Sequence, residues 1–240
     1  MTRRRWIADT WDESSAALHG EQARHLSRVL RAQPGMEFDV VAGGRAWLAR
    51  IASIDRESVR FTLLEELETV AALPLTLLLS VFKFDRMEWA IEKAVELGCS
   101  KIVPVIAERT ERHLAQAACK RVERWRRIVL EAAKQSRRSD MTEIGEPAGL
   151  AGVLSATKPD ALRILLSETE VDQPLLRILE TIPAGAIELA IGPEGGWTGS
   201  ELALFDGAGW RSASLGPRIL RVETAAIAAL AIVNAAAQQI

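Results

Sequence analysis

The stretch Leu75-Thr76-Leu77-Leu78-Leu79-Ser80-Val81-Phe82 is an apolar run of strand length; beyond it Met87, Ala90, Ile91, Ala94 and Val95 recur at helical spacing until Gly98. An apolar run of this kind suits a strand covered on both faces, as in a parallel sheet. The i, i+3, i+4, i+7, i+8 pattern predicts a helix with one buried stripe, closed by a glycine. Strand then helix is the unit from which α/β domains are built. The alternation continues downstream. Further strands are predicted at 101–106, 161–167, 187–191 and 212–215, and helices at 114–138, 175–181, 200–207 and 223–238. Everything beyond Pro74 therefore reads as an α/β domain with a mostly parallel sheet.

Upstream of Pro74 the texture changes. Short, partly alternating runs at 37–41, 46–51 and 59–64 are separated by turn signals at Pro34-Gly35, Gly43-Gly44 and Asp55-Arg56. One helix, at 20–32, interrupts them. Short strands at this spacing predict a small β-barrel. The acidic Glu65-Glu66-Leu67-Glu68, followed by Ala71-Ala72-Leu73-Pro74, marks a boundary, so two domains are expected, 1–72 and 73–240.

At 240 residues, 48% of them hydrophobic and 26% charged, the chain can bury one or two ordinary cores. The most apolar segment, 225–237, is too short to span a bilayer and contains Asn234. The basic start, Met1 to Trp6, leads into no long apolar run, which argues against a signal peptide. Cys99 and Cys119 have no Cys or His neighbours at the spacing that zinc or a disulfide framework needs. These features point to a cytoplasmic protein without a metal. A net charge of −2 by itself argues against a polyanionic partner, but the distribution is uneven. Arg109, Arg112, Lys120, Arg121, Arg124, Arg126, Arg127, Lys134, Arg137 and Arg138 crowd one segment against only Glu111, Glu123 and Glu131. Such a local basic face fits either nucleic-acid contact or an ordinary solvated helix.

Three loops stand out, each just after a strand of the α/β region: Ser167-Glu168-Thr169, Gly192-Pro193-Glu194-Gly195-Gly196-Trp197, and Leu215-Gly216-Pro217-Arg218-Ile219-Leu220-Arg221. Ligands of open α/β sheets bind beyond the carboxyl ends of the strands. Glycines let the main chain approach a ligand and present its N–H and C=O groups. One such loop is an ordinary turn; three in series favour a shared site. The glycine-rich segment lacks both the Gly-Lys-Ser/Thr end of a P-loop and the Gly-x-Gly-x-x-Gly spacing, and Glu194 would repel phosphate.

These loops carry a family resemblance. Ile191 to Thr198 with Glu201, and Leu215 to Ala225, strongly resemble the RsmE family, bacterial ribosomal-RNA uridine-N3 methyltransferases of the knotted SPOUT class. Lys83, Arg86, Glu92 to Gly98, Glu131 to Arg138 with Gln135-Ser136, and His25-Leu26 with Val29-Leu30-Arg31 match in order. Two departures are Thr142, where proline is usual, and Trp197, where phenylalanine is. The resemblance implies a PUA-like barrel followed by a SPOUT α/β methyltransferase domain with a deep C-terminal trefoil knot. It also implies a homodimer, and 16S ribosomal RNA as substrate, within the small ribosomal subunit.

S-adenosyl-L-methionine is the implied cofactor, held by Leu166, Ser167, Glu168, Ile191, Gly192, Pro193, Glu194, Gly195, Gly196, Leu215, Gly216, Ile219, Leu220, Arg221 and Thr224. RNA contact falls to Arg4, Arg28, Arg31, Lys83, Arg86, Gln135 and Arg138. Methyl transfer is an in-line displacement, so positioning matters more than covalent chemistry. Uracil N3 is a poor nucleophile while protonated. Arg138 and Arg221 are the candidates to orient the base, and Glu194 or Glu223 to take its proton. A cap or ion pair at the start of the last helix competes for Arg221 and Glu223. Two other classes remain: a non-catalytic RNA-binding assembly protein, which would not bind the cofactor, and a nucleotide-using α/β enzyme, which would bind ATP or NAD.

Overall fold

The computed structural model describes residues 5–68, 74–136, 140–156, 160–180 and 185–237. The chain forms two compact units, Met1–Ala71 with Ala133–Met141, and Ala72–Ala132 with Thr142–Ile240.

In the first unit a mixed six-stranded sheet runs in the order β1-β4-β5-β6-β3-β2. Its strands are β1 (Arg5–Ile7), β2 (Thr10–Trp11), β3 (Ser15–His19), β4 (Glu37–Ala42), β5 (Arg45–Ile54) and β6 (Ser58–Glu66). The expected strands correspond to β4, β5 and β6; β1, β2 and β3 were not foreseen. β4 and β5 form a hairpin, closed by Gly43 and Gly44 at φ 60° and 78°. Two positive φ values in a row define the turn that matches strand twist, which is why both residues are glycine. Trp6, Leu18, Leu26, Val40, Ile51, Val59 and Phe61 fill the core.

The helix expected over 20–32 forms, but it does not stay α-helical. Helix α1 (Gly20–Arg24) widens into a π-helical turn, His25–Val29, and the Leu30 N–H donates to the His25 carbonyl, 3.1 Å away. Arg31 then takes a left-handed conformation, φ 52°, and the Ala32 N–H closes back onto the Leu26 carbonyl. This path keeps Leu26 and Ala32 buried while Val29 and Leu30 face solvent. Arg31 does here what glycine usually does at a helix end.

The second unit is an all-parallel sheet in the order β10-β8-β7-β12-β11-β13, with β9 beside β8. Its strands are β7 (Leu75–Ser80), β8 (Lys101–Ile106), β9 (Glu143–Ile144), β10 (Ala148–Gly149), β11 (Leu162–Leu166), β12 (Ile187–Ile191) and β13 (Arg211–Ala213). Central β7 is buried on both faces, as its apolar run requires. Each buried leucine there contributes about 1.5–3 kcal/mol, so Leu78→Ala costs about 2–5 kcal/mol.

The helices are α2 (Phe84–Glu96), α3 (Arg112–Ser136), α4 (Leu150–Ser155), α5 (Leu175–Leu179), α6 (Gly199–Gly207) and α7 (Val222–Ala237). In α2 the buried residues are Met87, Ala90, Ile91, Ala94 and Val95, the predicted stripe, and Gly98 follows at φ 87°. Helix α7 packs on α2 and α5. No helix among the described residues is long and apolar enough to cross a membrane.

Candidate functional site

Strands β12, β11 and β13 lie side by side and parallel, so their carboxyl ends open on the same edge of the sheet. The three loops noted in the sequence leave from those ends and enclose a cavity of about 350 Å³. That volume is at the lower end of the range of small-molecule sites. Leu166, Ser167 and Glu168 line it from the first loop, and Ile191, Gly192, Pro193, Glu194 and Gly196 from the second. Leu215, Gly216, Ile219, Leu220 and Arg221 line it from the third, and Arg86 joins them from the start of α2.

Not every predicted residue is there. Gly195, Glu223 and Thr224 are absent from the lining. Lys83 precedes α2 and is exposed, and Gln135 is exposed near the end of α3. Arg28 and Arg31 stand exposed in the first unit. Arg4 and Arg138 lie outside the described residues. Conversely Thr169, Trp197, Leu202, Ser214 and Arg218 line the cavity without having been singled out as cofactor contacts.

The second loop is built tightly. The Gly196 N–H donates to the Pro193 carbonyl (2.8 Å), closing a turn that Gly196 leaves at φ 68°. Trp197 then folds back beneath it. A Cβ on Gly192 would come within 3.1 Å of the Trp197 Nε1, so a side chain there would push the indole by a few tenths of an ångström. The indole meets Phe205 edge to face at 4.8 Å, and Phe205 meets Trp210 at 5.1 Å. The loop thus rests on a buried aromatic ladder.

Helix α6 begins immediately afterwards with a reciprocal cap. Thr198 Oγ1 accepts from the Glu201 N–H, and the Glu201 carboxylate accepts from the Thr198 N–H at 2.8 Å. Glu201 is buried, and its other oxygen accepts from the Glu108 N–H, also at 2.8 Å. Beside it Arg109 Nη1 donates to the Gly195 carbonyl at 2.5 Å. The loop after β8 therefore clasps the loop after β12. The sequence pattern places Arg109 only in the basic segment and does not mark Glu108 at all. The readable signal was Thr198-x-x-Glu201, the spacing of a capping box.

Electrostatically the cavity is mixed. Arg86, Arg218 and Arg221 face Glu168 and Glu194 around it. Glu223 is buried behind, in the first turn of α7, and its carboxylate lies 3.9 Å from Arg86 Nε. A buried carboxylate needs a cation or donors to offset lost solvation. Glu223 therefore braces Arg86 toward the cavity instead of facing it. At the mouth Ile219 is 87% exposed, an apolar side chain with nothing packed on it.

Apolar walls, main-chain groups of three loops and a few opposed charges make a receptacle for a small, partly polar molecule carrying a positive centre. Leu166, Ile191, Leu215 and Leu220 can enclose a flat aromatic ring, the main chain at Gly192 and Gly216 can meet its polar edge, and Glu168 or Glu194 can balance a cation.

Comparison with known proteins gives the same picture. A family described as an RNA methyltransferase domain matches residues 69–234, and one described as an RNA methyltransferase PUA domain matches residues 18–64. The chain is 35% identical over 232 residues to ribosomal RNA small subunit methyltransferase E of a Synechocystis species, covering 93% of this chain and 74% of that protein. It is 33% identical to the Aquifex aeolicus protein of the same name, covering 88% and 90% of the two chains. Among solved structures, ribosomal RNA small subunit methyltransferase E from Neisseria gonorrhoeae bound to S-adenosyl methionine superposes with a TM-score of 0.80. It is 32% identical and covers 96% of each chain.

Proposed function

The chain belongs to the RNA methyltransferase family, and from that premise we propose that it methylates N3 of a uridine in 16S ribosomal RNA, using S-adenosyl-L-methionine. One observation carries this reading: three loops from neighbouring parallel strands close on a single cavity whose lining suits an adenosyl group and a sulfonium. When bound, the cofactor supplies an electrophilic methyl group on a positively charged sulfur.

The chain's own residues do the rest. Leu166, Ile191, Leu215 and Leu220 form apolar walls that exclude water, and the main chain at Gly192 and Gly216 is open to close approach. Arg221 and Arg86 line the cavity, and their guanidinium groups are the cations we assign to face the uracil carbonyls and favour the anion that forms as N3 loses its proton. Arg138 belongs with them in this proposal. Glu194, which lines the cavity with Glu168, is the carboxylate we assign to that proton; Glu223, off the lining, acts through Arg86. N3 sits on the pairing edge of uracil, so the target base must be unpaired or flipped out to enter.

We extend the proposal to a homodimer acting on the small ribosomal subunit in the cytoplasm. Helix α7 supports the dimer: it is apolar nearly throughout, and Ile227 and Ile232 remain half-buried after α2 and α5 have packed on it. Light scattering at micromolar concentration should give twice the chain mass. The knotted path belongs to the same proposal, supported by an edge strand β13 beyond β11 while α7 returns to α2. The decisive experiment is mass mapping of 16S ribosomal RNA from cells lacking this protein, with the protein added back. One uridine should lose a methyl group and regain it. An unchanged map would leave an RNA-binding assembly role instead.

A further inference from the structure

We propose that Arg109 is a positioning residue that latches the Gly192–Trp197 loop in its cofactor-accepting form, and that Gly195 is glycine to admit Arg109, not the cofactor. The inference rests on the cofactor reading above. The loop has two faces. Gly192, Pro193, Glu194, Gly196 and Trp197 line the cavity, whereas Gly195 does not. Its carbonyl instead accepts from Arg109 Nη1 at 2.5 Å, and the same nitrogen lies 3.4 Å from the Trp197 carbonyl. One guanidinium therefore spans the turn, bonding the main chain on either side of Gly196. A donor that carries charge makes such bonds stronger than a neutral one does.

The side chain also lies flat against the loop. A Cβ on Gly195 would stand 3.2 Å from Arg109 Cδ and 3.5 Å from its Cβ. On the next residue a Cβ would stand 3.2 Å from Glu168 Oε1, and Arg109 Nη1 is 4.0 Å from the same point. Loops after β8, β11 and β12 thus converge over Gly195-Gly196. Arg109 is itself fixed at its root. The Glu108 N–H donates to buried Glu201, the Ala107 N–H to Thr110 Oγ1 at 3.1 Å, and Thr110 Oγ1 to the Val81 carbonyl at 3.2 Å. Arg109 is nevertheless exposed, so removing it leaves the aromatic ladder under the loop intact.

The test uses the full-length protein, with calorimetric titration of S-adenosylhomocysteine and amide hydrogen exchange of the free protein. Arg109→Ala should keep the melting midpoint of the free protein, raise exchange in 192–198 but not in β12, and weaken binding roughly threefold to tenfold. Arg109→Lys should recover part of the affinity. Gly195→Ala should weaken binding in the parent protein but add little to Arg109→Ala, because its steric partner is then gone. Unchanged loop exchange in Arg109→Ala, or a Gly195→Ala penalty of equal size in both backgrounds, overturns the latch. If the parent protein binds no S-adenosylhomocysteine, the cofactor reading falls, and the loop exchange still decides whether Arg109 holds the turn.

Discussion

Helix α3 and the α1–π-helical segment both look basic in sequence, yet three of the five arginines on α3 live differently from those of the shorter segment. On α3, Arg121 and Arg124 share Glu88, at 3.6 and 2.6 Å, and Arg126 bonds Glu123 and, at 2.7 Å, Glu146. Glu88 holds the Arg124 guanidinium above its ordinary proton affinity, and Glu123 with Glu146 does so for Arg126. Arg24, Arg28 and Arg31 stand exposed, with no ion pair among the described residues. Pairs at a surface stabilise a fold by no more than about 1 kcal/mol, but they cancel field at the spot where a phosphate would feel it. A run of basic letters is therefore not yet a binding face. What decides is whether the fold brings acids to it.

Three classes of arginine follow from this contrast: those facing the cavity, those free on the surface, and those already paired. Substitutions that address each class in turn should rank them. The largest effect belongs to Arg86→Ala, which should slow methylation of ribosomal RNA roughly 100-fold while leaving cofactor affinity within about threefold. An equal loss in both, read by steady-state kinetics and calorimetry, would move Arg86 to the cofactor side. Next, Arg28→Ala with Arg31→Ala should lower the salt slope of RNA binding by about two units without touching cofactor affinity. A slope that does not change removes the free arginines from the interface. A smaller and opposite effect is expected from Glu88→Gln. Releasing Arg121 and Arg124 should tighten RNA binding about twofold to threefold, and no gain would mean that this part of α3 does not meet RNA. The smallest is Arg31→Gly, which should raise stability in urea by up to about 1 kcal/mol through relief of the left-handed backbone, while still weakening RNA binding.

The sequence shows the centre of the second unit clearly, because β7, β8, β11 and β12 are apolar runs and α2 and α3 carry unbroken stripes, such as Leu114, Ala118, Val122, Trp125 and Val129, whereas the short β9, β10 and α4 are not legible there. Strands β1 and β2 leave no such mark. They are three and two residues long, and β1 is a strand only through its pairing with β4. The helix expected over 20–32 is helical only as far as Val29, and its π-turn has no periodicity of its own over so short a span. At the site, the three loops are legible because each follows a strand, and their common cavity follows from β11 lying between β12 and β13. Gly195 reads as one more ligand-facing glycine, since no local pattern says which side of a turn it takes. The contacts of Arg109 and Glu201 across to another loop stay hidden for a similar reason: they involve main-chain groups, and side-chain types do not record such contacts. Charge misleads most on α3, where Glu88 and Glu146 come from outside the helix.

Arg31 has a consequence at the level of mutation. Every arginine codon is one base change from a glycine codon, so the substitution that relaxes φ 52° is always a single step away. A position where the easier residue is so near, and where it would remove about 1 kcal/mol of strain, is one where drift runs downhill toward glycine. Arginine holds its place there only if the guanidinium is worth more to the cell than the strain, which makes codon 31 a natural gauge. Competing the two alleles under growth that depends on ribosome supply would weigh the charge directly against the backbone.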